Sequence, residues 1–349
     1  MRPLCTQISD YLLEPRACAW PEDWSRVFGR TAPLAVEIGF GNGSFLAFEA
    51  ARRPERNHVG IEVSWASATR LFKRLDHRRL TNVRALLADA EPTLSSLFAP
   101  ESVCEFFIHH PSPWPKARHE ERRLLQPRFV ALLADRLVPG GRVTIVTDHA
   151  AYASWIAEVL EGQSALVPRL GTTEVGELPD REPTKYELKA RAQGLPIHFF
   201  PWEKRAAPDP ALLPPRPVEL SDMPSLTLRG AHDPARLLEA FQPVTLREEH
   251  RGVDTFVKLA CAWRRLGTPP VWMVEALVKE GKLHQEFGVE IVARGGDTLL
   301  VKLSALGRPH PTHGVKRAVA AVADVLRASS PELRVVHENL GAAREPAAG

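Results

Sequence analysis

The chain is poor in cysteine and has no apolar run long enough to span a bilayer. Its four cysteines, Cys5, Cys18, Cys104 and Cys261, are scattered, with no Cys-x-x-Cys pair. That argues against a disulfide framework and a thiolate metal site, so no metal is expected and a reducing cytoplasm is the expected compartment. The N-terminus lacks the charged-then-apolar pattern of a signal sequence, and no membrane partner is expected. There is no internal repeat. Charge of one sign is not in excess either: 45 Lys and Arg against 42 Asp and Glu leave a formal +3, too little to mark a nucleic-acid binder.

The distribution of charge says more than its sum. Arg52, Arg53 and Arg56, then Arg70, Lys73, Arg74, Arg78, Arg79 and Arg84, then a cluster after Trp114 all fall in the first half. Such bunching can form the footprint of a polyanion binder. Solvated helix faces are the competing reading, and the interspersed Asp76, Glu120 and Glu121 fit it.

At 349 residues the chain has room for two domains, each with its own core. Residues 1–203 alternate between strand and helix patterns. Strands are expected at 34–38, 58–62, 83–88, 103–109 and 141–147, and helices at 44–52, 64–77 (N-capped by Ser64), 119–136 and 150–162. Pro139-Gly140-Gly141 is read as the turn into the fifth strand, and Pro196 to Trp202 as a closing strand. Continuous Val/Ile/Leu/Phe runs suit a parallel sheet covered on both faces, hence an α/β domain. Five prolines between 208 and 217 make residues 204–217 a semi-rigid linker by composition. Residues 218–340 read as a small α+β domain. Its strand-like segments lie near 218–229, 243–250, 254–261, 288–294, 297–304 and 333–337. One helix carries Val315, Ala318, Val319, Val322, Val325 and Leu326 on a single face. Residues 341–349 read as a disordered tail.

Two motifs carry chemistry. The run Leu34-Ala35-Val36-Glu37-Ile38-Gly39-Phe40-Gly41-Asn42-Gly43 is a buried strand entering a tight turn before a helix. Gly39, Gly41 and Gly43 let the backbone bend and a ligand approach. Glu62 ends the next strand, at the ~20-residue distance where an acid meets a ribose hydroxyl. The leading acid Glu37 and the lack of a sixth-position glycine favour S-adenosylmethionine over NAD, since an acid near a sulfonium is electrostatically sensible. The second motif is His109-His110-Pro111-Ser112-Pro113-Trp114-Pro115-Lys116-Ala117-Arg118-His119. Its prolines stiffen a loop behind an apolar strand, where open α/β sheets place ligands. Lys116, Arg118, His119, Arg122 and Arg123 supply donors suited to phosphate.

Each candidate has a plainer role. Thr184 to Glu187 fits the Ser/Thr-x-x-Glu capping box. Trp114 could be a core anchor instead of a base-stacking plate. Asp148 could N-cap the helix near Ala150. Glu62 and Lys116 could be ordinary surface residues. His310 and His313 lack further ligands, so Thr312 or His313 is expected to start a helix; Lys316 and Arg317 at that start could touch phosphate.

In order along the chain, Glu-Ile-Gly-Phe-Gly-Asn-Gly (37–43), Gly60-Ile61-Glu62, Ala88-Asp89-Ala90, Pro-Ser-Pro-Trp-Pro-Lys (111–116), Thr147-Asp148 and Thr184-Lys185-Tyr186-Glu187 resemble the bacterial tRNA (guanine-N7-)-methyltransferase family over about residues 30–203. The glycine turn is generic to methyltransferases; the Pro-x-Pro-Trp-x-Lys loop followed by Thr-Lys-Tyr-Glu is specific. The resemblance implies the Rossmann-like class I methyltransferase fold with a seven-stranded sheet. It implies S-adenosylmethionine as cofactor, at Glu37, Gly39, Gly41, Gly43, Glu62 and Asp89. It implies tRNA as partner, with Ser112, Trp114, Lys116, Arg118, Asp148, Thr184, Lys185, Tyr186 and Glu187 facing the RNA or its target guanine. A monomer or homodimer is expected.

One position departs from the family, which usually has Asp where this chain has Ser112. That acid has been regarded as catalytic, so Ser112 puts the role in doubt here. Guanine N7, however, has a lone pair and no proton, so its methylation requires no general base. Ser112 is expected to keep a positioning hydrogen bond while Asp148, Glu187 or Glu37 supplies negative charge. A carboxylate at Glu187 or Asp148 could also accept the paired N1–H and N2–H donors of guanine. Two other functions compete. The loop loosely resembles that of exocyclic-amine methyltransferases acting on adenine N6 or cytosine N4, but with Trp114 directly after Pro113. The other is a catalytically inactive RNA-binding relative.

Overall fold

The apolar run Leu34–Ile38 is buried along its whole length, because both faces of its sheet are covered. The computed structural model describes residues 2–179, 181–214, 223–231, 233, 241–266 and 271–341. It divides into two units, Met1–Pro214 and Pro215–Gly349.

The first unit holds strands β1 (Leu12–Leu13), β2 (Leu34–Ile38), β3 (Asn57–Glu62), β4 (Val83–Leu87), β5 (Val103–His109), β6 (Leu137–Thr147), β7 (Leu166–Pro168) and β8 (His198–Lys204). Its helices are α1 (Leu4–Tyr11), α2 (Trp24–Phe28), α3 (Ser44–Arg52), α4 (Trp65–Arg78), α5 (Ala90–Leu97), α6 (Pro127–Arg136), α7 (Ala150–Glu161) and α8 (Lys185–Ala192). The strand order is β1-β4-β3-β2-β5-β6-β8-β7, with β8 antiparallel to both its neighbours and the other pairings parallel. The sheet thus has eight strands; the eighth is the two-residue β1, paired at the edge. Alternate residues along each strand serve opposite faces. Val36, Ile38, Phe106, Ile108 and Ile145 pack in the core with side chains from α2, α5, α6 and α7. On the other face α1, α3 and α4 share one cluster, while Ala190 of α8 packs with Val146 and Phe199.

The structure departs from the sequence reading at four points in this unit. The segment 119–136 is not one helix: a 3₁₀ helix covers Ala117–Arg122, and α6 starts at Pro127. Proline has no amide hydrogen to give inside a helix but is suited to its first turn. Pro139-Gly140-Gly141 lies inside β6, beside a break in the β5–β6 register. Asp148 does not cap α7, because His149 does, its ring Nδ1 accepting the Tyr152 N–H at 3.2 Å. Helix α5, unexpected from the sequence, tolerates Pro92 in its first turn and is capped by Asp89.

The second unit is an antiparallel sheet, β10-β11-β12-β13-β14-β9-β15, built from β9 (Ser225–Arg229), β10 (Val244–His250), β11 (Val253–Arg265), β12 (Val271–Glu280), β13 (Leu283–Ala293), β14 (Thr298–Leu303) and β15 (Arg334–Glu338). Helix α9 (His313–Ser329) buries Val315, Ala318, Val319, Val322 and Leu326 against one sheet face. Strand β12 is absent from the sequence expectations, although Val274, Ala276 and Val278 on it are fully buried. Glu280 at its end caps α9 from outside, accepting the Gly314 N–H at 2.9 Å. Lys316 and Arg317 do not face phosphate here: Lys316 Nζ donates to the Asn339 carbonyl at 3.0 Å and Arg317 Nε to Glu248 at 3.2 Å. Part of the expected 218–229 strand and the tail from 342 lie outside the described residues. Among the described residues no helix is long and apolar enough to cross a membrane, and no group of three or more His, Cys, Asp or Glu is placed to hold a metal.

Candidate functional site

The sheet order reverses at β2, with β3 and β4 on one side and β5 and β6 on the other. Ligands of open α/β sheets bind outside the carboxyl ends of the strands at such a point. Those ends carry Gly39 to Gly43 after β2, Glu62 on β3, Asp89 after β4, His110 to Lys116 after β5 and Asp148 after β6.

The glycine turn is open above and tight below. Gly39, Gly41 and Gly43 have φ of 73°, 53° and 70°, a region costly for residues with a Cβ. A Cβ on Gly39 or Gly41 would meet nothing within 4 Å, whereas on Gly43 it would lie 2.5 Å from the Leu71 side chain. The first two glycines leave room over the turn, and the third seats α3 on α4. Glu62 holds the turn from β3. One of its oxygens accepts the Gly41 N–H at 3.0 Å, and the other accepts those of Val63 and Ser64 at 2.8 and 3.0 Å. A carboxylate has about four acceptor positions, so Glu62 retains capacity for a hydroxyl donor. Asp89 is exposed and caps α5 through the Glu91 N–H at 3.2 Å.

Glu37 and His109 lie on adjacent strands with their side chains on the same face. They begin a buried polar series that the sequence did not reveal. His109 Nδ1 is 3.2 Å from Glu37 Oε1, and Arg181 reaches His109 Nε2 at 3.1 Å. Arg181 can only donate, so Nε2 accepts and a neutral ring donates from Nδ1 to Glu37. The guanidinium also grips both oxygens of Glu187, at 2.8 and 2.5 Å, and lies over Phe45 and Phe199 at 5.5 and 5.3 Å. Burial pushes the Glu37 carboxyl up to about 8 against the pull of Arg181. Burial first, and then the Arg181 cation, hold His109 well below its ordinary value. At Glu187 burial works upward, but hydrogen bonds and charge from Arg181, with the Thr184 amide, leave it below the usual carboxylate value. Glu37 Oε2 is buried without a hydrogen-bond partner.

Thr184 and Glu187 form the capping box of α8. Glu187 is 0% exposed, with its oxygens taken by Arg181 and the Thr184 N–H. As placed it offers no oxygen to a ligand. Lys185 and Tyr186 are exposed, and the Tyr186 ring lies 5.6 Å from that of His110. His110 Nδ1 is 3.1 Å from Asp148 Oδ1. Ser112, Lys116 and Arg118 are exposed on the loop. Trp114 is neither a core anchor nor free, because Arg122 lies over its ring at 5.1 Å. Arg123 is buried, donates to the Pro113 carbonyl at 3.1 Å and lies over Tyr152 and Trp155, so it anchors the loop instead of facing phosphate.

Sheet order, glycine turn and acid positions together define a class I methyltransferase domain. A family model described as "Putative methyltransferase" matches residues 31–200. The chain is 38% identical to a tRNA (guanine-N(7)-)-methyltransferase of Alkalilimnicola ehrlichii over 196 residues, 56% of this chain and 83% of that protein. It is 40% identical to one of Mycobacterium avium over 185 residues, 53% of this chain and 71% of that protein. This chain belongs to the tRNA (guanine-N(7)-)-methyltransferase family. A solved rRNA methylase from Streptococcus thermophilus, 17% identical, covers 50% of this chain and 88% of its own with a TM-score of 0.36, too distant to add to the sheet order.

Proposed function

We propose that this protein transfers the methyl group of S-adenosylmethionine to N7 of a variable-loop guanine in tRNA, in the cytoplasm. The observation that carries the reading is the pairing of an open glycine turn with acids placed as acceptors. Glu62 clamps the turn, and Glu37 presents a buried unpartnered oxygen beside it. These residues fit a cationic, hydroxyl-bearing methyl donor: Glu62 suits its ribose hydroxyls, Glu37 its positive end, whose charge would favour the ionised form of this otherwise protonated carboxyl, and Gly39 and Gly41 the close approach of backbone. When bound, the sulfonium supplies an electrophilic methyl.

The protein's remaining task is geometric and electrostatic. Guanine N7 attacks with a lone pair and loses no proton, so alignment of donor and acceptor can carry much of the rate. The product ring is cationic. Asp148, on the carboxyl edge beside the loop, places a carboxylate where that charge can be stabilised. Glu187 acts at one remove, holding Arg181 and the start of α8. Lys116, Arg118 and Lys185 are exposed cations for the RNA backbone.

The test uses methyl-labelled S-adenosylmethionine and two tRNA transcripts, one with the variable-loop guanine and one with adenine there. Label in the guanine transcript only, with strand cleavage after borohydride and aniline, supports the reading. Label on an exocyclic amine, or no label with the cofactor bound, overturns it. Because no general base is required, Ser112→Ala should keep measurable turnover in the same assay.

A further inference from the structure

We propose that His110 is a base-contact residue whose Nε2 accepts a hydrogen bond from the Watson–Crick edge of the target guanine. The proposal rests on the guanine-N7 reading and adds a specificity element to the same site.

His110 is the first residue past β5, at the strand end beside the switch point, two residues before Ser112. Its amide donates to the Val146 carbonyl at 2.7 Å, tying the loop to β6. Its φ is 47°, a left-handed conformation that costs a non-glycine residue ~1–2 kcal/mol. Strain of this kind gathers at functional sites.

The ring is held by one edge. Asp148 Oδ1 lies 3.1 Å from Nδ1, and an ionised carboxylate can only accept, so the neutral ring carries its proton on Nδ1. In that neutral tautomer Nε2 presents a lone pair. The side chain is 5% exposed, and Nε2 is buried with no hydrogen-bond partner. An unsatisfied buried polar atom costs ~1–3 kcal/mol, and one in a native structure calls for an explanation. A donor arriving with the substrate supplies it. Tyr186 lies over the ring, tilted by 34°, and is 57% exposed, so it can give way to a base at little cost.

Guanine offers N1–H and N2–H side by side, with N7 on the opposite edge and free for the methyl. Adenine has a lone pair at N1, which would face the Nε2 lone pair. His110 thus puts an acceptor back on a loop that Ser112 leaves without a carboxylate.

The test is a two-way cycle between protein and base. Transcripts carry guanine, inosine (no N2–H) or 2-aminopurine (no N1–H) at the target position. Wild type should lose about tenfold in kcat/KM with one analogue, the value of one hydrogen bond of ~1.4 kcal/mol. His110→Phe should lose about as much on guanine and then little more with that analogue. His110→Gln, whose carbonyl can accept, should recover part of the loss. Cofactor affinity by calorimetry should stay unchanged throughout. An equal loss for His110→Phe on all three bases, or no loss, overturns the proposal. If the Phe variant fails to fold, His110→Asn, too short to reach, takes its place. Wild type is measured first: absence of guanine methylation there defeats the guanine-N7 reading itself.

Discussion

Among the described residues, Arg181 is the one cation in contact with the buried series that joins β2 to α8. It holds Glu187 with two hydrogen bonds and reaches Glu37 through His109. Arg181→Met should therefore cost about 3–5 kcal/mol in denaturant unfolding, since it strands a buried carboxylate. Arg181→Lys should cost less. Glu37 makes a separate prediction. Its raised carboxyl keeps a proton in the folded protein between its ordinary 4.5 and about 8, while the unfolded chain releases it. Stability from this group is complete below pH ~4.5 and is lost as pH rises to ~8, by at most about 1.4 kcal/mol per unit. His109, held low, works in the opposite direction on the acid side. The difference in unfolding free energy between wild type and Glu37→Gln should fall with pH across that window; a flat difference would refute the assignment. Glu37 and Glu62 were legible as candidate acids from position and spacing, and Asp89 from the resemblance; the fold brings all three to the carboxyl ends of β2, β3 and β4. His109 and Arg181 were not, because they are 72 residues apart and meet only when α8 folds onto the sheet. The capping box of Thr184 and Glu187 was legible as a pattern, but the burial that removes Glu187 from solvent was not.

Among elements, the β2–α3 turn is tightly constrained at Gly43. Gly43→Ala combines a left-handed φ with a 2.5 Å approach to Leu71. It should cost about 2 kcal/mol or more and weaken cofactor binding, as melting and calorimetry would show. Melting unchanged from wild type would mean α3 and α4 can shift freely. The parallel strands of the first unit were readable because their runs are apolar and bounded by turns. Helix α6 was misjudged because His119 to Arg123 reads as a solvated helix face that continues into it, and only the ring of Pro127 decides where it starts. Strand β12 escaped for the opposite reason. Val271 and Met273 are buried on the face away from Trp272 and Val274, which erases the alternation that would mark a half-exposed strand, and its Met, Glu, Ala, Leu and Lys also suit a helix.

For the whole molecule, each unit has its own closed core. Residues 1–214 expressed alone should fold and bind S-adenosylmethionine with affinity near that of the full chain, measured by circular dichroism and calorimetry; an unfolded product would show that the first unit needs the second. The second unit has a property of its own at its boundary. Ser225, opening β9, and Asn339, just past β15, exchange hydrogen bonds: the Ser225 N–H donates to Asn339 Oδ1 at 2.7 Å, and the Asn339 N–H to the Ser225 carbonyl at 3.2 Å. The chain therefore enters and leaves this sheet at one spot, on two neighbouring antiparallel strands. Tension applied through those two points would load the β9–β15 pair from its end and open it one rung at a time, as a zipper. The unit is mechanically weak along that line however stable its core, and the same closeness would let its ends be spliced into another protein's surface loop without stretching either.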